Sequence, residues 1–183
     1  MESMRAYREL VARVDRFLGR VMERYGHLIR CRKGCAICCE PGFGVFPVEA
    51  WGVRQGLGSL PLRARVILLQ KAGDPSSDSC PALGGGACLL YPLRPLLCRT
   101  HGFPLLVETG GGKPQVKYCE LNFRPEEFPG QVISGDCVLN LERLNQALAA
   151  INLAFLSERE ELGLGGLPHR VPLLHFLANT QAG

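Results

Sequence analysis

The sequence predicts a mainly α protein with a small β-hairpin: a single irregular, loop-rich domain over residues 1–183, organised around a cysteine and metal centre. Three observations predict it. Apolar residues recur at helical spacing in two long stretches, one towards each end of the chain. Between them lies much turn-forming sequence, for Gly and Pro total 35 of 183 residues, about 19% against roughly 12% in average proteins. Nine cysteines complete the pattern, too many and too clustered for ordinary core packing. Apolar residues make up 46% and charged residues 21% of the chain, which supplies a core and excludes disorder, collagen and coiled coil.

The elements follow in order. Residues 1–26 form an amphipathic helix, expected from Met4 to Tyr25 and ending near Gly26. Around a helical wheel, Tyr7, Leu10, Val11, Val14, Phe17, Leu18, Val21 and Met22 share one face, and Arg5, Arg8, Arg13, Arg16, Arg20 and Arg24 the other. The formal charge of the whole chain is +4, and residues 1–39 hold nine Lys/Arg against four Asp/Glu. The basic face reads as a solvated surface. Its sharper alternative is a docking strip for an acidic protein partner. A pI near 8.6, with no aromatic residues on the basic face, disfavours nucleic acid.

Residues 28–125 form the cysteine-cluster core, opening with the polar loop RCRKGCAICCE. In PVEAWGVRQGL, Pro47 suits the first turn of a helix. LPLRARVILLQKAG predicts another helix, stopped by Gly73, and DPSSDS a loop. Short pieces follow: a Gly84–Gly86 turn, a Leu89–Tyr91 segment and a single helical turn at Pro95–Thr100. A hairpin is expected to pair Leu105–Glu108 with Gln115–Tyr118 around Thr109–Lys113. Residues 136–183 are a helical segment. A helix begins near Asn140, where Leu141, Leu144, Leu148, Ile151 and Phe155 keep 3, 4, 3, 4 spacing, and a short one is expected at Pro172–Ala178.

Compartment decides what the cysteines mean. The first twenty residues carry neither an unbroken apolar stretch nor a small-residue cleavage site, so no signal peptide is expected. The most apolar run, Leu148–Leu156, contains Asn152 and falls far short of the roughly 20 residues a membrane span needs. A cytoplasmic chain in a reducing milieu uses clustered thiols for metal or catalysis rather than disulfides.

The first group is Cys31-x3-Cys35-x2-Cys38-Cys39, around Gly34; the second is Cys80-x7-Cys88-x9-Cys98, with Cys119 further on. These eight are the candidate metal ligands, two sets of the four that fill a tetrahedral zinc site or hold an iron–sulfur cluster. Cys137 stands apart and reads as a buried apolar cysteine. Adjacent Cys38 and Cys39 point in different directions in any regular backbone, so either they serve different sites or one is a redox or outlying thiol. Arg30, Arg32 and Lys33 beside the first group, and Arg94 and Arg99 beside Cys98, are expected to lower thiol pKa. His101, three residues after Cys98, is either a ligand or a histidine hydrogen-bonded in a loop.

RCRKGCAICCE, CLLYPLRPLLCRTHGFPL and YCELNF together resemble the YkgJ-like, CxxCxxCC family of zinc- or iron-chelating proteins. Tyr91, Arg94, Pro95 and Arg99 match that family's Tyr-x-x-Arg-Pro-x-x-Cys-Arg signature, although the first cysteine interval here is three residues rather than two. The resemblance covers residues 28–125 and implies the same eight cysteines as ligands of Zn2+ or of an iron–sulfur cluster, with no assigned reaction.

Enzyme readings have less behind them. Cys31-x3-Cys35-x2-Cys38 is similar to the radical S-adenosylmethionine cluster motif, but no strand–helix alternation follows it. The cysteine region also resembles that of flagellin lysine methylases, which leaves an iron–sulfur redox or methylation-linked enzyme as an alternative. No phosphate-binding loop, HExxH or GxSxG occurs. A last alternative is an adaptor with purely structural zinc and a basic docking helix.

Overall fold

The computed structural model describes residues 1–40, 42–72, 79–162 and 165–178. The expected stop at Gly73 and all of the DPSSDS loop except Ser79 lie outside the described residues. Among the described residues, six α-helices carry the fold: α1 (Glu2–Tyr25), α2 (Pro47–Gly56), α3 (Leu62–Ala72), α4 (Leu96–Thr100), α5 (Leu141–Glu161) and α6 (His175–Ala178). The strands are short: β1 (Gly44–Val45), β2 (Leu83–Gly84), β3 (Ala87–Cys88), β4 (Leu105–Val107), β5 (Gln115–Lys117), β6 (Leu139–Asn140) and β7 (Val171–Pro172). The architecture is mainly α with small sheets, as the sequence predicts.

α1 packs along α5 and buries Met4, Tyr7, Val14, Leu18, Val21 and Tyr25. Met22, expected on that face, is 40% exposed. At the opposite face, much of the basic strip is engaged within the chain. Arg5 lies 3.6 and 3.7 Å from Glu2 and Glu9, Arg24 lies 3.4 Å from Asp136, and Arg8 donates to Gln55 at 2.9 Å. α5 starts where Asn140 accepts the Arg143 backbone N–H at 2.8 Å, which satisfies one of the helix's orphan donors. Its stripe buries Leu144, Leu148 and Phe155, while Leu141 and Ile151 are half-buried. On the same helix, buried Asn152 accepts the Val48 N–H at 3.2 Å and so ties α5 to the start of α2.

The expected hairpin forms, each strand one residue shorter at its C-terminal end, in the register Leu105↔Lys117, Leu106↔Val116, Val107↔Gln115. β6 adds to it in parallel, through Leu105↔Leu139 and Leu106↔Asn140, so the unit is a three-stranded sheet. β2 and β3 form a second hairpin across Gly85 and Gly86, whose positive φ of 59° and 75° suits glycine. β1 pairs with β7, so Pro172, expected to open the short terminal helix, is strand instead, and that helix begins at His175.

Two apolar clusters result. The first joins α1, α5 and the aromatic residues around Phe123, and it contains Cys137, 3% exposed. The second gathers Val45, Val53, Leu68, Leu90, Val171 and Phe176, among others. Trp51 and Leu167 pack against both.

Candidate metal centre

The first cysteine loop runs from the end of α1 to β1 with no long regular element. Cys35 N–H donates to the Arg32 carbonyl at 2.9 Å and Cys39 N–H to the Ala36 carbonyl at 3.0 Å, so two tight turns present the thiols in succession. The Cys80 N–H donates to the Cys39 carbonyl at 3.1 Å, and Cys88 pairs with Leu83 across the β2–β3 ladder. Cys98 comes from α4. Six of the eight candidate cysteines, Cys35, Cys38, Cys39, Cys80, Cys88 and Cys98, line one cavity of about 270 Å³. Phe43, Leu90 and Leu173 give it apolar walls, and Arg94 and exposed His101 border it.

The residues of the Tyr-x-x-Arg-Pro-x-x-Cys-Arg stretch hold α4 in place. The Arg94 guanidinium lies 3.8 Å from the centre of the Tyr91 ring, donates to the Tyr91 carbonyl at 3.1 Å and to the Cys98 carbonyl at 3.3 Å. Arg99 donates to both carboxylate oxygens of Asp15 at 2.9 and 3.0 Å and to the Arg94 and Pro92 carbonyls. Glu49, 2% exposed, accepts the Phe46 N–H at 3.0 Å and the Leu96 N–H at 2.9 Å. One carboxylate thus caps the beginnings of both α2 and α4.

Cys31 and Cys119 meet elsewhere, around Gly102. The Cys119 N–H donates to the Gly102 carbonyl at 3.2 Å. The side chain of Asn122, 1% exposed, donates to that same carbonyl at 2.6 Å and to Cys31 Sγ at 3.3 Å, and accepts the Arg30 N–H at 2.7 Å. A β-carbon at Gly102 would collide with Cys31 Sγ, and its φ of +89° disfavours other residues. The following Phe123 has the left-handed φ of 50°, rare for a bulky side chain. Its ring is locked at 5.6 Å from Tyr25, 5.0 Å from Tyr118 and 5.5 Å from Phe128.

Sequence reading named all eight cysteines but neither Asn122, Gly102 nor Glu49. The only signal for Asn122 was its place three residues after Cys119, and nothing in the sequence says that its amide reaches back to Cys31.

Burial, not the neighbouring cations, sets the thiol chemistry. Cys39 is pushed up to about 12, first by burial and then by Cys38, Cys80 and Cys88. Cys98 is also pushed up to about 12, by burial followed by Cys80 and Cys88, with Arg94 pulling weakly the other way. Burial likewise raises Cys31, Cys38, Cys80 and Cys88. The expected lowering by arginines is therefore overturned at Cys98, because Arg99 is spent on Asp15 and desolvation outweighs Arg94. Arg30 is likewise engaged, by Glu127 and the His27 carbonyl.

Gathered, the thiols are not yet closed on a common point. Among the described residues, no three His, Cys, Asp or Glu side chains stand where they would grip one ion. The donor set still fits a thiophilic ion, since six thiols line one cavity, and Gly102 leaves room at Cys31 that any β-carbon would fill. Among the described residues, no helix is long and apolar enough to cross a membrane.

Known proteins give no parallel: no family profile matches the chain, and no curated sequence and no solved structure is significantly similar to it.

Proposed function

We propose that this protein binds a thiophilic metal, zinc or iron in an iron–sulfur cluster, through Cys31, Cys35, Cys38, Cys39, Cys80, Cys88, Cys98 and Cys119, in the reducing cytoplasm. The observation that carries the reading is the convergence of six cysteines, from three separate stretches of chain, on one cavity. Buried neutral thiols crowded together gain little from one another. A bound cation reverses that, because each thiol gives up its proton and the resulting thiolates share a positive centre instead of repelling. Metal of this kind supplies cross-links between distant segments and, if iron, a site for one electron. Around it, Arg94 and Glu49 fix the backbone that carries Cys98, and Asn122 fixes Cys31.

A structural, storage or electron-transfer role follows better than hydrolytic catalysis. With eight thiolates available, no position need be left open for substrate. Anaerobic purification with metal analysis and a visible spectrum tests the proposal. Bound zinc or iron in whole-number ratio to the chain, with a lower melting temperature after chelation, is the expected result. A metal-free chain from a reducing cytoplasm, with all thiols reduced and melting unchanged by chelator, overturns it.

A further inference from the structure

Six thiols line one cavity, but they are not equally reachable. Cys80 is buried at 4% exposure, beside Ala82 and Leu90 at 1% each. Cys35, Cys39, Cys88 and Cys98 are half-buried, and Cys38 is the one cysteine of the nine that is exposed. Local backbone explains this. The Cys39 N–H closes a turn on the Ala36 carbonyl, which puts Ile37 and Cys38 at its tip, and Ile37 is 56% exposed. The other exposed residues of the lining are Glu40, Leu97 and His101, so with Cys38 they form the mouth of the cavity.

The Cys38 and Cys39 thiols hydrogen-bond to one another. A turn allows this contact, whereas a helix or strand would point the two side chains apart. Behind the pair, the backbone of Cys80 is tied to the Cys39 carbonyl. Among the described residues, no three donors stand ready around one point. An ion is therefore bound in steps, by two thiols first and then by others that shift onto it. Cys38 and Cys39 suit the first step, being already in contact and open to solvent on the Cys38 side.

We infer that Cys38 and Cys39 are the landing pair of this cavity: they take zinc from a small thiolate carrier at the mouth, and Cys39 passes it inward to Cys80 and its neighbours. This rests on the metal-binding reading and deepens it by assigning the route of loading. At the mouth, the Cys38 S–H bond breaks and a sulfur–zinc bond forms, one carrier sulfur–zinc bond breaks, and the proton leaves on the carrier sulfur. Cys39 repeats the exchange. Further in, Cys80 gives its proton to the thiolate that lets go, and no atom changes oxidation state. Glutathione, which keeps cytosolic thiols reduced, is a carrier of this class.

Zinc transfer from a zinc–glutathione complex to the reduced full chain, followed by stopped flow under anaerobic conditions, tests the route. A thiol that receives the ion sets the association rate, whereas one that only holds it acts on dissociation. Cys38→Ser should slow association about tenfold, while Cys80→Ser should leave it within about twofold and speed dissociation. Rapid-quench alkylation with mass spectrometry reads the same order in the unaltered protein, where protection should reach Cys38 and Cys39 before Cys88 and Cys98. Protection that reaches Cys88 and Cys98 as early as Cys38, or association slowed no more by Cys38→Ser than by Cys80→Ser, overturns the proposal. The alkylation result decides even if the substituted chains do not fold. A reduced chain that takes up no zinc, from the complex or from a zinc salt, overturns the metal-binding reading itself, which separates the two failures.

Discussion

Ser3 anchors the start of α1 to the end of α5. Its backbone N–H and hydroxyl donate to the two oxygens of the Glu158 carboxylate at 3.0 and 2.7 Å, and they hold that carboxyl below the usual carboxylate range. A carboxyl depressed in the folded state adds stability above its unfolded pKa and loses it as the pH falls through the folded value. Ser3→Ala should therefore cost about 0.5–1 kcal/mol near neutral pH, a small figure because the carboxylate faces water. Urea denaturation should show the difference closing as the pH falls through the depressed folded pKa of Glu158, below which the carboxyl is protonated both folded and unfolded. At this scale the candidate site is half legible. Thiols announce their chemistry by type and spacing, so the eight cysteines can be named from the chain alone. Asn122 cannot, since an asparagine acquires its role only from the partners folding brings, here Cys31 from 91 residues away.

Helices are where local sequence speaks most directly. α5 keeps its apolar stripe because residues 3 and 4 apart share a face, and Phe155, 0% exposed, closes the stripe against Trp51. Phe155→Ala should lower stability by about 3–5 kcal/mol, whereas Leu153→Ala, on the 63% exposed side of the same helix, should change it by less than about 0.5 kcal/mol. Denaturant midpoints of the two variants check this directly. The strands were harder to read. Two-residue strands such as β1, β6 and β7 carry no alternation to detect, and the parallel pairing of β4 with β6 joins segments with no local turn between them. The second apolar cluster escaped for the same reason. Residues 30–120 look short of periodic core material, and the missing share arrives from Val171, Leu173, Leu174, Phe176 and Leu177.

Over the whole molecule, that tail joins packing to the thiol cavity. Leu173, 5% exposed, belongs to the second cluster and also lines the cavity that holds six of the cysteines. A charge there would be buried without a partner, so Leu173→Asp should cost about 3 kcal/mol or more and speed thiol alkylation. Leu153→Asp, on an exposed helical face, should do neither. Thiol-reagent kinetics alongside thermal melts would report both effects, and unchanged alkylation in Leu173→Asp would separate the wall from the cavity. The pairing of Gly44 with Pro172 has a consequence for assembly. Its partners are 128 residues apart, a contact of high order that forms slowly because a long loop must close first. During that interval the cysteines lack their apolar cover, open to oxidants and to whichever ion is most abundant. The order in which the chain closes thus bears on what it finally carries.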